Sequence, residues 1–130
     1  MARVSIRLGF AGDLALGPGK IRLLETIAET GSISAAGRTM KMSYRRAWML
    51  VDELNHMFTE PLVEARPGGT NGGGTSLTPT GEAVVRRYRA IEASVTSDAG
   101  ADLTALEAMI AIAKHQPSSP PKRKRPASLK

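Results

Sequence analysis

"GSISAAGRTMKMSYRRAWMLVDELN", residues 31–55, contains two serines, Ser32 and Ser43, each followed by apolar residues at helical spacing. Gly31 is a natural C-terminal stop for any helix before it. Ser32 can cap a short helix, "ISAAGRTMK", with Ile33, Ala36 and Met40 turned inward. The small side chains of Ala35 and Ala36, and Gly37 beside them, let a second helix approach closely. A brief turn at Lys41 and Met42 follows, and Ser43 can cap a longer helix by accepting an amide hydrogen bond. That helix is expected from about Tyr44 to Met57, with Ala47, Leu50, Val51 and Leu54 as its inner face. The chain leaves it before Pro61. Helix, tight turn, helix is the centre of the fold.

Upstream, residues 3–10 alternate Val4, Ile6, Leu8 and Phe10 with Arg3, Ser5, Arg7 and Gly9, which reads as a half-buried strand. After a Gly-containing loop, Pro18 can open a helix with Ile21, Leu23, Leu24, Ile27 and Ala28 on its stripe. Downstream, "PLVEAR" and "TSLT" are short strand-like pieces on either side of a glycine run. Thr78 can cap the next helix, with Pro79 at its first position and Ala83, Val84, Tyr88, Ile91 and Val95 as a stripe. Asp98 to Ala101 breaks it. "DLTALEAMIAIAKH" then reads as a last amphipathic helix, with Leu103, Leu106, Met109, Ile110 and Ala113 spaced for packing. From Pro117 on, Pro, Ser, Lys and Arg predominate, and a disordered tail is expected.

The glycine run, Gly68 to Gly74, comes close to a nucleotide phosphate loop, with Gly69, four residues and Gly74. Such a loop needs a lysine next, whose ammonium holds the outer phosphates, and Thr75 stands there instead. It must also open directly into a helix, whereas "TSLT" and Pro79 intervene. A flexible hairpin whose bare amides lie along nucleic acid is the better reading.

Charge points the same way. The net charge of +6 is concentrated in residues 117–130, where Lys122, Arg123, Lys124, Arg125 and Lys130 meet no acid. The rest is nearly neutral, yet residues 30–51 hold Arg38, Lys41, Arg45 and Arg46 and no carboxylate. A local basic patch and a basic tail are the footprint of a polyanion binder. The order of elements predicts an α+β winged helix-turn-helix, in which the helix after the turn enters the major groove. The expected DNA-binding residues are Ser43, Tyr44, Arg45 and Arg46 at the start of that helix, Arg38 and Lys41 before it, and Arg66, Gly69, Thr70 and Asn71 around the hairpin. Trp48, four residues on from Tyr44, is expected to buttress the helix.

"ETGSISAAGRTMKMSYRRAWMLVDELN" (29–55) and "PLVEARPGGTNGGGTSLTPTGE" (61–82) together resemble the N-terminal domain of ModE-type molybdate-dependent regulators. The broader similarity is to LysR-type DNA-binding domains, which share the "GSISAAG" helix and the "LTPTG" after the wing. The resemblance spans about residues 4–115 and implies a dimeric, sequence-specific transcriptional regulator of a bacterial kind. It implies a recognition helix at 43–57 and a wing at 67–76. Full-length members continue into oxyanion-binding modules that have no counterpart in this sequence, so no molybdate binding is expected of this chain by itself.

The expected division is a winged helix-turn-helix at 1–77, dimerisation helices at 78–116 and a basic tail at 117–130. The expected partners are double-stranded DNA and a second copy, with no membrane and no cofactor. His56 and His115 are far apart, and no Ser-His-acid, paired-carboxylate or metal-ligand spacing can be assembled around them, so an enzyme is not expected. The chain has no cysteine and no apolar run near the length of a membrane span, and a cytoplasmic protein is the default. Two rival readings remain: an architectural DNA-binding protein with little sequence preference, and a module that docks a partner regulator.

Overall fold

The computed structural model describes residues 2–67 and 74–111. Val4–Asp98 form one compact unit, and residues 99–111 belong to a second, together with Ala2 and Arg3.

The first unit begins with a small antiparallel hairpin, β1 (Leu8–Gly9) and β2 (Ala15–Leu16), joined by a turn that includes left-handed Gly12 and Asp13. This corrects the strand expected over residues 3–10. The alternation survives as burial, since Val4, Ile6 and Leu8 are half-buried and Arg3, Ser5 and Arg7 exposed. Only two residue pairs form a ladder, however, and Phe10 is exposed. A period of two reports which side chains face the core, not whether a partner strand lies alongside.

Helix α1 (Pro18–Thr30) starts on Pro18 and stops at Gly31, whose φ of 75° and amide bond to the Ile27 carbonyl close the last turn. It buries Ile21, Leu23, Leu24, Thr26 and Ile27, while Ala28 faces solvent. Helices α2 (Ile33–Thr39) and α3 (Tyr44–Met57) are each capped by the serine that precedes them. Ser32 Oγ accepts the Ala35 amide and Ser43 Oγ the Arg46 amide, both at 3.0 Å. Between them Lys41 takes a left-handed φ of 59°, which turns the chain sharply. A Cβ at Gly37 would lie 3.3 Å from both the Ala47 Cβ and the Met42 carbonyl, so glycine lets α2 and α3 meet closely.

The wing strands β3 (Val63–Arg66) and β4 (Gly74–Leu77) pair antiparallel, from Val63 opposite Leu77 to Arg66 opposite Gly74. The Thr75 amide donates to the Gly31 carbonyl at 2.9 Å, which ties β4 to the corner between α1 and α2. Helix α4 (Pro79–Asp98) begins on the Thr78 cap. Thr78 Oγ1 accepts the Gly81 amide at 2.9 Å and donates to the Pro61 carbonyl at 2.8 Å. Further along, Tyr88 is buried and its hydroxyl donates to the Ile6 carbonyl at 2.6 Å. Burial pushes the Tyr88 phenol up, and Glu92 adds to the rise. Arg89 forks across the two oxygens of Glu25 on α1 at 2.8 and 3.0 Å and also binds Glu92. Its guanidinium holds the Glu25 carboxyl below the usual carboxylate range.

The core gathers Leu16, Ile21, Leu23, Leu24, Ile27, Ala36, Val51, Leu54, Leu62, Val63 and Tyr88. It is the α+β winged arrangement expected from the element order.

In the second unit, α5 spans Gly100–Met109, and the backbone is extended at Ile110. The amphipathic reading of this segment is corrected: its apolar side chains form no single stripe, and none is buried. Ala113, His115 and the tail at 117–130 lie outside the described residues. Among the described residues, no helix is long and apolar enough to cross a membrane.

Candidate nucleic-acid interface

The α2–turn–α3 corner presents its basic side chains outward. Ser43 ends the turn, and Tyr44, Arg45 and Arg46 form the first helical turn of α3, all of them exposed. No acid lies in that turn. Free amides, the positive end of the helix dipole and two guanidiniums therefore coincide, an arrangement that attracts anions. Lys41, just before, is exposed on the left-handed turn. Arg38 lies on α2, its Nη1 donating to Ser34 Oγ at 2.9 Å, one helical turn back. That bond directs the guanidinium along the solvent side of α2.

The wing stands on the other side of α3. Arg66, at the end of β3, is exposed, and its guanidinium rests against Gly31 and Gly74. A Cβ at Gly74 would meet the Gly31 carbonyl at 2.8 Å as well as that guanidinium, so glycine permits the crossing. Gly69, Thr70 and Asn71, expected at the wing tip, lie outside the described residues. Trp48 keeps 48% of its surface exposed while bordering a small hollow with Ile33, Val51, Asn55, Val63 and Thr75. It packs between α3 and the wing and also faces solvent.

Two features beyond the expected residues shape this surface. The Asn55 side chain, at the far end of α3, binds the main chain of Leu62 and Val63, fixing where the wing leaves the helix. An asparagine in a helical stripe carries no sequence signal of such a clamp. The solvent crest of α3 also continues past Arg46. A spacing of about 100° per residue places Arg45, Met49, Asp52 and His56 in a line opposite buried Ala47, Val51 and Leu54. That spacing is legible in the sequence once the inner face is fixed. Among the described residues, no group of three His, Cys, Asp or Glu side chains is placed to hold a metal.

Residues 19–82 match the family of bacterial regulatory helix-turn-helix proteins of the LysR type. The chain is 41% identical over 96 residues to the molybdenum-pterin-binding protein MopA of Rhodobacter capsulatus, an alignment covering 74% of this chain and 36% of MopA. It is 36% identical over 87 residues to the DNA-binding transcriptional dual regulator ModE of Escherichia coli K12, covering 67% of this chain and 33% of that protein. It thus spans about a third of the length of these curated relatives. In fold it is similar to the CbnR DNA-binding domain solved in complex with DNA, with a TM-score of 0.50 and 20% identity over 68% of this chain and 95% of the other.

Proposed function

We propose that this chain, whose residues 19–82 match the LysR-type family of bacterial regulatory helix-turn-helix proteins and which is similar over about two thirds of its length to ModE-type proteins, is a sequence-specific DNA-binding transcriptional regulator that works as a homodimer. The observation that carries the reading is the first turn of α3. A serine-capped helix start with Tyr44, Arg45 and Arg46 exposed and no acid in its first turn is built to approach a polyanion. In this reading α3 lies in the major groove, with Arg45 and Arg46 at base edges or beside them. Arg38 and Lys41 meet phosphates from the α2 side, and the wing, with Arg66, Gly69, Thr70 and Asn71, follows the backbone. The clamp at Asn55 fixes the angle between helix and wing, so that both meet one duplex together.

The homodimer rests on apolar surface. Ile91 and Val95 of α4 are exposed, and an apolar hollow of roughly 300 Å³ lies beside Ile91, bordered by Leu8, Phe10, Phe58 and Val84. In the second unit Leu106, Met109 and Ile110 are exposed as well. The contiguous apolar hollow beside Ile91 is the kind of exposed patch that association covers. Residues 78–116 would then serve dimerisation and residues 1–77 DNA binding. Selection of bound duplexes from a random pool tests the proposal: an inverted repeat supports it, and an unenriched pool would refute it.

A further inference from the structure

We propose that Asp52 is a specificity-determining residue of this surface, its carboxylate accepting a hydrogen bond from the N4 amino group of a cytosine in the major groove. The inference rests on the reading that α3 enters that groove.

The placement of Asp52 carries the argument. It lies on the crest of α3 and borders both flanking hollows, the one toward Leu14 and the one toward the wing. Nearly half of its side chain is exposed. It is also the first carboxylate after the acid-free window of residues 30–51. A carboxylate facing the phosphates would be repelled, so a crest that enters DNA needs a donor opposite it. The major-groove edge offers amino donors, and cytosine N4 pairs with a carboxylate. Met49, between Arg45 and Asp52 on the crest, has no hydrogen-bonding donor, so polar readout along this line passes from Arg45 to Asp52.

The neighbouring acid serves elsewhere. Glu53 points to the α1 side, where its Oε1 lies 3.6 Å from Lys20 Nζ. His56, one turn on, sits with Nδ1 2.8 Å from the Asp52 carbonyl oxygen and 3.5 Å from Asp52 Oδ1. The ring lies beside one carboxylate oxygen, and among the described residues the other has no hydrogen-bond partner. Seven residues separate Arg45 from Asp52, about 10 Å along the helix axis. A helix lying in the groove runs obliquely to the duplex axis, so this span covers at most about three base-pair steps of 3.4 Å.

The test is selection from a random duplex pool with wild type, D52N and D52A, alongside R45A to mark the base that Arg45 specifies. The wild-type consensus should contain a cytosine within about three base pairs of the Arg45 position. In D52N that preference should move toward adenine, which an amide reads through N6 and N7. In D52A it should relax, with about tenfold less discrimination at that position. An unchanged consensus in both variants overturns the inference and leaves the regulator reading intact. Equal loss of binding to every duplex, with the helical circular dichroism signal retained, also overturns it. A wild-type pool with no consensus removes the regulator reading itself, and this inference with it.

Discussion

Asn55 holds Val63 from both sides: its Oδ1 accepts the Val63 amide at 3.0 Å, and its Nδ2 donates to the Val63 carbonyl at 3.2 Å. The same Oδ1 accepts the Leu62 amide at 2.8 Å. One side chain thus joins the end of α3 to the start of the wing. Asn55→Ala leaves three main-chain groups without these partners, in a partly buried place. We predict a loss of about 1 to 3 kcal/mol in urea unfolding. Asn55→Asp, which keeps the acceptor and removes the donor, should fall between the two. An Asn55→Ala midpoint equal to wild type would show that the clamp is replaced by water at no cost.

Gly81 meets a different constraint. A Cβ there would lie 2.1 Å from the Leu62 carbonyl oxygen, and backbone cannot swing aside as a side chain does. Gly81→Ala should therefore lower stability by about 1 to 3 kcal/mol, the usual range for forced overpacking. Gly19, also helical, has nothing within 4 Å of its Cβ position. Gly19→Ala should stabilise by about 0.4 to 1 kcal/mol through the unfolded chain. Thermal unfolding of the two variants should shift in opposite directions, and shifts of the same sign would contradict this packing.

These cases show what the sequence makes legible. The caps at Ser32, Ser43 and Thr78, the stop at Gly31 and the start at Pro79 act within a few residues of themselves, so they can be read directly. The inner faces of α1 to α3 follow from periodicity with few errors, Ala28 among them. The β1–β2 hairpin could not be read, because two-residue strands carry no period. Asn55 and Gly81 could not be read either, since their partners at Leu62 and Val63 are known only once the chain has folded. The basic start of α3 is legible from charge, whereas Asp52 on its crest interrupts that pattern and carries no charge signal pointing to DNA.

The Arg89–Glu25 pair gives stability a pH dependence of known sign. Arg89 holds the Glu25 carboxyl below its ordinary value, and partial burial opposes this more weakly. The folded state therefore favours the ionised carboxylate. Its contribution is complete above the unfolded value of about 4.3 and is lost as pH falls through the lower folded one. Both side chains are partly exposed, so the effect at neutral pH should not exceed about 1 kcal/mol. Wild type should lose stability more steeply than Glu25→Gln as pH drops below about 5. Parallel urea midpoints over that range would remove the pair from the account.

Dimerisation is tested at two exposed apolar positions. Ile91→Asp and Ile110→Asp change side chains that are 41% and 56% exposed, so the fold of one copy should tolerate them. Each should shift the sedimenting mass toward monomer and weaken binding to a two-half-site duplex more than to a single half-site. A dimer unaltered by both would place the interface on another surface.

The central claim, sequence-specific recognition through the start of α3, is tested most directly by the ratio of affinities for a selected duplex and a random one at fixed salt. Wild type should prefer the selected duplex by about a thousandfold or more. Arg45→Ala should lose about 1 to 3 kcal/mol on the selected duplex and much less on the random one. A wild-type ratio below about tenfold, far short of that for a specific complex, would contradict the account and favour an architectural DNA-binding protein.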